Sequence, residues 1–292
     1  MTKCVAWVAG EALIDLLPVG DDKRAVVGGG AANTAKALAN LGVRTSFIGG
    51  ISSDEYGELI RRELESLDLS LALNSDLPTA LAVVSLGSDG SASYEFRLEG
   101  TATFDFRKDW LSKDRPEVLH IGTLATIIEP GASELFEWAR VLNVPLVFDP
   151  NVRPSVLPDR EKYRDAIEKW ARIASVVKLS DEDLAWLGYK GVDRFFELGA
   201  KLVVVTLGAK GIDGYAKEGL VSVPGVAVDV VDTVGAGDTV GAVLVEGLLK
   251  YGLDQMVSER LFEVLNRAAK AAAITCTRAG ARPPTAEELE RL

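Results

Sequence analysis

The sequence predicts an α/β fold: a mostly parallel sheet covered on both faces, with a small β excursion in the N-terminal third. Short apolar runs alternate with helical patterns along the middle and C-terminal parts, the signature of βαβ units. Two alternating runs flank a turn-rich tetrapeptide, and no linker, repeat or low-complexity stretch divides residues 1–292, so a single domain is expected.

In order, residues 5–8 form the first strand and 12–17 a further β run. A helix over 31–41 leads to a strand at 45–48. Tyr56, Leu59, Ile60, Glu63, Leu64 and Leu67 fall at helical spacing with one polar interruption. The runs 80–86 and 91–98 around Gly87-Ser88-Asp89-Gly90 predict an antiparallel hairpin, with Tyr94, Phe96 and Leu98 on one side and Glu95 and Arg97 on the other. With 12–17 it would form a small sheet over one end of the core, an excursion covering about 12–25 and 80–104. A strand at 118–121 and a helix through Leu135, Phe136, Ala139 and Leu142 follow, then a strand at 146–148 and a charged helix at 159–174. Next come a strand at 176–179, a helix near 184–187 and a strand at 202–206. An apolar β-type run at 226–231 precedes an apolar helix at 240–249. The last long helix is expected to stop at Arg282-Pro283-Pro284-Thr285, with a short acidic helix beyond.

Composition narrows the function. Lys and Arg number 32 against 43 Asp and Glu, a net charge of −11, which disfavours nucleic acid and anionic membranes as partners. One histidine, His120, and two cysteines, Cys4 and Cys276, exclude a Cys₄ or multi-His zinc site and a disulfide framework. A reducing cytoplasm suits that cysteine usage. Glu11 and Asp15 interrupt the N-terminal apolar run, so no secretory signal is expected, and no apolar run reaches membrane-spanning length.

In an open parallel sheet, ligands bind beyond the carboxyl ends of the strands. Here those ends carry Asp149-Pro150-Asn151-Val152-Arg153-Pro154, Ser180-Asp181-Glu182-Asp183, and Thr206-Leu207-Gly208 with Gly211 behind. Each loop alone is explained equally well by helix capping; three on one rim favour a site. The strongest signal is Asp232-Thr233-Val234-Gly235-Ala236-Gly237-Asp238-Thr239, where two glycines ahead of a helix aim backbone N–H groups outward as an anion hole. A bare phosphate site would not carry an acid at its mouth. Phosphoryl transfer would, because Asp238 can take the proton of an incoming hydroxyl. Gly235, Gly237 and Gly241 are one residue too widely spaced for a dinucleotide fingerprint, and no P-loop motif occurs. Gly28-Gly29-Gly30-Ala31-Ala32-Asn33 is a second glycine turn that exposes bare backbone and offers the Asn33 amide to a polyol.

Taken together, the Gly10-Glu11 to Asp15 start, the 28–33 turn and the 232–238 motif resemble the ribokinase-like (PfkB) carbohydrate kinases over essentially the whole chain, with the bacterial fructokinases most similar. The resemblance implies a three-layer α/β/α core with a β-sheet lid, and ATP-dependent transfer of the γ-phosphoryl group to a sugar hydroxyl. Fructose is the first candidate; ribose and 2-keto-3-deoxygluconate are alternatives, and a non-catalytic sugar- or nucleotide-binding protein is the rival from another class. It assigns Asp238 as base and the Gly235, Ala236 and Gly237 amides as anion hole. Asp15, Gly29, Gly30 and Asn33 would hold the sugar. Arg153 would meet the phosphates, and Arg97 would be the cation for a keto-acid carboxylate. Ser180, Thr206, Gly208, Gly211 and Asn266 would border the nucleotide. Mg²⁺ is expected with ATP, held by phosphates and water, with Asp183 reaching it through water. Ser180 and Asp183 replace the family's Asn-x-x-Glu pair, and Val234 replaces a common Thr, which weakens the case for a monovalent cation. A homodimer paired through the lid is a further expectation. His120 reads as a strand-end histidine with its hydrogen bonds satisfied, and Cys4 and Cys276 as inert core residues.

Overall fold

A computed structural model of the chain describes residues 6–19, 22–86 and 92–292. In chain order the elements are β1 (Ala6–Ala9), β2 (Leu13–Val19), β3 (Asp22–Gly28), α1 (Gly30–Asn40), β4 (Thr45–Ile48), β5 (Gly50–Ser52), α2 (Glu55–Glu63) and β6 (Leu73–Ser75). There follow β7 (Leu81–Leu86), β8 (Ala92–Arg97), β9 (Val118–Gly122), α3 (Gly131–Leu142), β10 (Leu146–Asp149), α4 (Arg160–Ala171), β11 (Val176–Ser180) and α5 (Asp181–Leu187). The chain continues through α6 (Asp193–Leu198), β12 (Leu202–Thr206), β13 (Gly211–Ala216), β14 (Gly219–Pro224), α7 (Ala236–Val257), α8 (Leu261–Cys276) and α9 (Ala286–Glu290).

The main sheet runs β14-β13-β12-β11-β10-β9-β1-β4. Neighbours from β12 to β4 pair parallel, while β13 pairs antiparallel with both β12 and β14. Alternate residues of these strands feed two cores, which is why the runs are apolar throughout rather than alternating. Val8, Val118, Val147, Val176 and Val204 pack with α1, α7 and α8. Trp7, Leu119, Phe148, Val177 and Val203 pack with α3, α4 and α6. In the second core Trp170 stacks on Phe148 at 6.1 Å and donates its indole N–H to Thr126 O at 3.2 Å, so its ring is buried without stranding its polar atom. Three polar side chains interrupt the first core: His120, Asp149 and Lys178, one turn of pleat beyond Val118, Val147 and Val176. They lie under the N-terminus of α7.

A second sheet, β3-β2-β7-β8, is the small excursion. Its Leu13, Ile14, Ala82 and Val83 are buried, consecutive pairs that face opposite sides of the sheet, while Glu95 and Arg97 on β8 are exposed. The 87–90 turn and Cys4 lie outside the described residues. The sequence did not predict β3, the β5–β6 pair, α6 or the β13–β14 hairpin, whose runs are short or broken by Gly, Lys and Asp.

Residues 226–231 are a correction: they form no strand. The run follows the edge strand β14 without pairing to it. Instead Val231 and Asp232 both donate backbone N–H groups to Cys276 O, at 2.8 and 3.2 Å, and Val230 and Val231 are each 63% exposed. Likewise α8 ends at Cys276, before the prolines; Thr285 then caps α9 in a reciprocal bond with Glu288.

Candidate active site

The two glycines ahead of Asp238 do different work. Gly235 is the N-cap of α7 at φ +80°, a left-handed backbone that favours glycine, and a Cβ there would meet Ala281 Cβ at 2.5 Å. Gly237 is ordinary helix; its missing side chain leaves room for Lys178, whose Nζ would sit 2.9 Å from a Cβ. Asp232 braces the turn, accepting from Val234 N at 3.0 Å and from Gly280 N at 2.8 Å. The Ala236 N–H is turned to Thr233 O at 3.2 Å, which corrects its place in the anion hole; the Gly235 and Gly237 amides remain for a ligand. Asp238 follows in the first turn, 7% exposed, and burial pushes its carboxyl above the ordinary aspartate range. The Asn33 amide, Lys178 and Arg153 pull the other way.

Opposite stands the start of α1. Gly29, at φ +107°, lies where a Cβ would press on Glu11 O at 2.5 Å. Gly30 is the floor of the cleft: a Cβ would lie 2.4 Å from Thr123 Oγ1, 3.4 Å from Asn151 Nδ2 and 3.4 Å from Asp238 Oδ1. Asn33 donates to Asp238 Oδ2 at 2.9 Å, and its own Oδ1 is buried with no partner among the described residues. Glu11, fully buried, accepts from Gly30 N at 2.9 Å and Ala125 N at 3.2 Å, tying the glycine turn to the end of β9; burial pushes its carboxyl up to about 7. Asp15 on β2 lies against Gly28, and burial, opposed by Arg153, raises it to about 6. Arg153 is exposed, with Nη1 donating to Asn151 Oδ1 at 2.7 Å.

On the other side of α7, Ser180 and Thr206 end adjacent parallel strands in register. Ser180 Oγ accepts from Asp183 N, and Asp183 Oδ2 accepts from Ser180 N at 2.8 Å, a reciprocal cap of α5. Asp183 Oδ1 accepts from Val152 N at 2.9 Å. Both oxygens therefore hold backbone. No group of three His, Cys, Asp or Glu among the described residues could cage a metal ion. A divalent cation carried by nucleotide phosphates and water fits this donor set. Gly208 (φ +56°) and Gly211 (φ +117°) flank the turn after β12, where a Cβ on Gly211 would strike Val223 O at 2.1 Å.

Arg97 is exposed and paired with Glu95 on its own strand at 2.9 Å. Asn266 lies on α8, ten residues before its C-terminal end. One expectation fails. His120 is not satisfied: both ring nitrogens are buried without a partner among the described residues, and burial, with Lys178 nearby, holds the ring neutral down to about 3. Glu11, Thr123, Asn151, Asp149 and Lys178 went unassigned. Thr123 (φ +58°) and Asn151 (φ +42°) are left-handed non-glycine residues at the cleft, a strain that sequence does not print.

A parallel sheet whose strand ends gather two glycine turns around a buried acid fits a phosphoryl-transfer enzyme. A family model described as pfkB family carbohydrate kinase matches residues 10–288, and the chain belongs to that family. It is a phosphotransferase acting on a sugar hydroxyl. The chain is 38% identical over 272 residues to a fructokinase of Rhizobium leguminosarum bv. trifolii, covering 86% of this chain and 81% of that one. Its fold is similar to that of Xylella fastidiosa fructokinase with bound ATP (TM-score 0.90, 27% identity, 99% and 98% covered). It is also similar to a Vibrio cholerae O395 fructokinase double mutant in a fructose-, ADP- and potassium-bound form (TM-score 0.86, 27% identity, 98% and 97% covered). No helix among the described residues is long and apolar enough to cross a membrane.

Proposed function

We propose that the protein is a fructokinase that transfers the γ-phosphoryl group of ATP to a primary hydroxyl of fructose. The observation that carries this reading is the buried Asp238 in the first turn of α7, bonded to Asn33 and facing the bare backbone of Gly30. Asp238 takes the hydroxyl proton as the oxygen attacks. The Gly235 and Gly237 amides and the α7 dipole receive the phosphoryl oxygens, and Arg153 offsets charge at the rim. Asp15, Gly29, Gly30 and Asn33 hold the sugar; the unpartnered Asn33 Oδ1 suits a hydroxyl donor. Ser180, Thr206, Gly208 and Gly211 border the nucleotide, with the exposed Val230, Val231 and Val234 beside it. Mg²⁺ bound to the phosphates supplies charge neutralisation, and Asp183 serves it indirectly by fixing the Val152 and Ser180 backbone. The β3-β2-β7-β8 sheet closes over the sugar and excludes water.

The 2-keto-3-deoxygluconate alternative would have to draw Arg97 from its exposed pair with Glu95. Ribose stays in the test panel. A monovalent cation stays part of this reading, in line with the potassium-bound form of the Vibrio cholerae O395 relative. We place the enzyme in the cytoplasm, where the free Cys276 stays reduced. Pairing of the β8 edge with a second copy would give a dimer, readable by analytical ultracentrifugation.

The test is ADP release over a panel of fructose, ribose, glucose and 2-keto-3-deoxygluconate, with Asp238→Asn alongside. Fructose should give the highest kcat/KM, and Asp238→Asn should cost on the order of 10²–10⁴ in turnover. Another sugar in first place would reassign the substrate; near-normal turnover in the variant would remove Asp238 as base.

A further inference from the structure

Among the described residues Lys178 is the one buried cation, 3% exposed in a neighbourhood of buried carboxylates: Asp149, Asp183 and Asp238. Its ammonium donates to Asp149 Oδ2 at 2.9 Å, and Asp149 Oδ1 is left without a partner. Lysine carries three N–H donors, and Asp149 takes one. Stability does not account for this arrangement. A buried ion pair costs desolvation that its attraction barely repays, and a well-packed apolar pair is commonly as stable or more so. The unsatisfied Asp149 oxygen makes the pair costlier still.

Its position accounts for it better. Nζ lies against the first turn of α7, 2.9 Å from where a Gly237 Cβ would be, so any side chain at 237 would push the ammonium away. That turn carries the Gly235 and Gly237 amides. A helix N-terminus supplies only about half a positive charge. Here it must accept a phosphoryl group within reach of Asp238, Asp149, Asp183 and Glu11, all of them buried. In a water-excluded site those carboxylates would oppose an incoming anion strongly.

We propose that Lys178 is a positioning residue for phosphoryl transfer: its buried ammonium, pinned by Asp149 and admitted by the bare Gly237, supplies the fixed positive charge that lets the α7 N-terminus receive a phosphoryl group beside the Asp238 carboxylate. It touches neither substrate, and acts through the helix turn it supports. His120, on β9, is a buried neutral ring near enough to Lys178 to feel its charge.

The inference rests on the assignment of the α7 turn as anion hole, and the experiment separates the two. Steady-state kinetics with fructose, ATP and Mg²⁺ are measured for Lys178→Met, for Lys178→Met/Asp149→Leu and for Asp238→Asn, each checked by thermal unfolding. The double variant removes both charges and fills the space with apolar atoms, so it folds even where the single variant, with Asp149 stranded, does not. We expect kcat to fall about 30-fold or more in the double variant while the fructose KM stays within about threefold, the mark of charge felt in the transition state. A double variant with kcat within about threefold of wild type would show the pair to be merely structural. So would a loss confined to the fructose KM. If Asp238→Asn kept its turnover, the proposed function would lose its base; if only the Lys178 variants stayed active, that reading would stand and this inference would not.

Discussion

Asn33 and Asp238, 205 residues apart in the chain, meet through one hydrogen bond of 2.9 Å from Asn33 Nδ2 to Asp238 Oδ2. The bond joins the glycine turn of α1 to the first turn of α7, and so couples the sugar side of the cleft to its base. It also favours the ionised carboxylate, against a burial that raises the Asp238 carboxyl above its usual value. The base must be ionised to act, so kcat at saturating fructose should fall as pH is lowered, with a midpoint above the ordinary aspartate value of about 3.9. Asn33→Ala should move that midpoint to higher pH and cost on the order of 10–10² in kcat by freeing the carboxylate from its attack geometry. A pH–rate profile between 5 and 8 checks both; an unmoved midpoint would separate Asn33 from the base.

Gly30 predicts a steric result. Its bare Cα faces Thr123 Oγ1, Asn151 Nδ2 and Asp238 Oδ1, and a methyl would lie 2.4 Å from the first and 3.4 Å from the other two. That methyl occupies volume a bound sugar needs. Gly30→Ala should lower kcat/KM for fructose by about 10²-fold or more, since misplacing a substrate by about 1 Å costs that much. Calorimetric titration of fructose should show weakened binding in step. Undiminished binding would mean the sugar lies elsewhere.

Asp183 predicts a separation of stability from metal dependence. Its two oxygens hold Val152 N and Ser180 N, and it caps α5. Asp183→Ala leaves those amides without acceptors, at about 1–3 kcal/mol for each left buried, and should lower the unfolding midpoint in urea clearly. The Mg²⁺ concentration giving half-maximal rate should stay within about twofold, because the ion rides on the nucleotide. A tenfold rise in that concentration would instead make Asp183 a ligand.

Elements with long periodic patterns were legible in the sequence: the parallel strands around β1, β9, β10, β11 and β12, and the helices α1, α3 and α4. So was the 232–238 motif, because glycine and aspartate at a helix start have few other uses. The misses have common physical causes. Residues 226–231 look like a strand because Val has high β propensity, but the Val231 and Asp232 amides bond Cys276 O at the end of α8 and the run pairs with no strand. Lys178 was hidden inside an apolar run, where one polar residue reads as noise until the sheet register puts it beside Asp149 and beneath Gly237. Thr123 and Asn151 gave no signal, since their left-handed backbones are imposed by the packing around them.

Glu11 leads to a prediction about stability and pH. Burial lifts its carboxyl from 4.5 to about 7, despite the backbone donors of Gly30 and Ala125. A carboxyl raised on folding contributes stability that is complete below its unfolded value and is lost as pH climbs through the folded one, here between about 4.5 and 7. His120 works in the opposite sense: its folded value, depressed to about 3 from 6.5, gives stability that is lost as pH falls through that window. The wild-type curve alone therefore mixes two opposing slopes. Comparison with Glu11→Gln isolates the first, because the amide does not titrate while His120 is unchanged. The stability of wild type relative to Glu11→Gln should shrink by up to about 3 kcal/mol between pH 5 and pH 8, read from urea unfolding. The reduction comes from the cost of holding a charged, buried Glu11 against the glycine turn. A difference constant across that range would mean that Glu11 is ionised throughout, and that the α1 turn carries a negative charge beneath the sugar site.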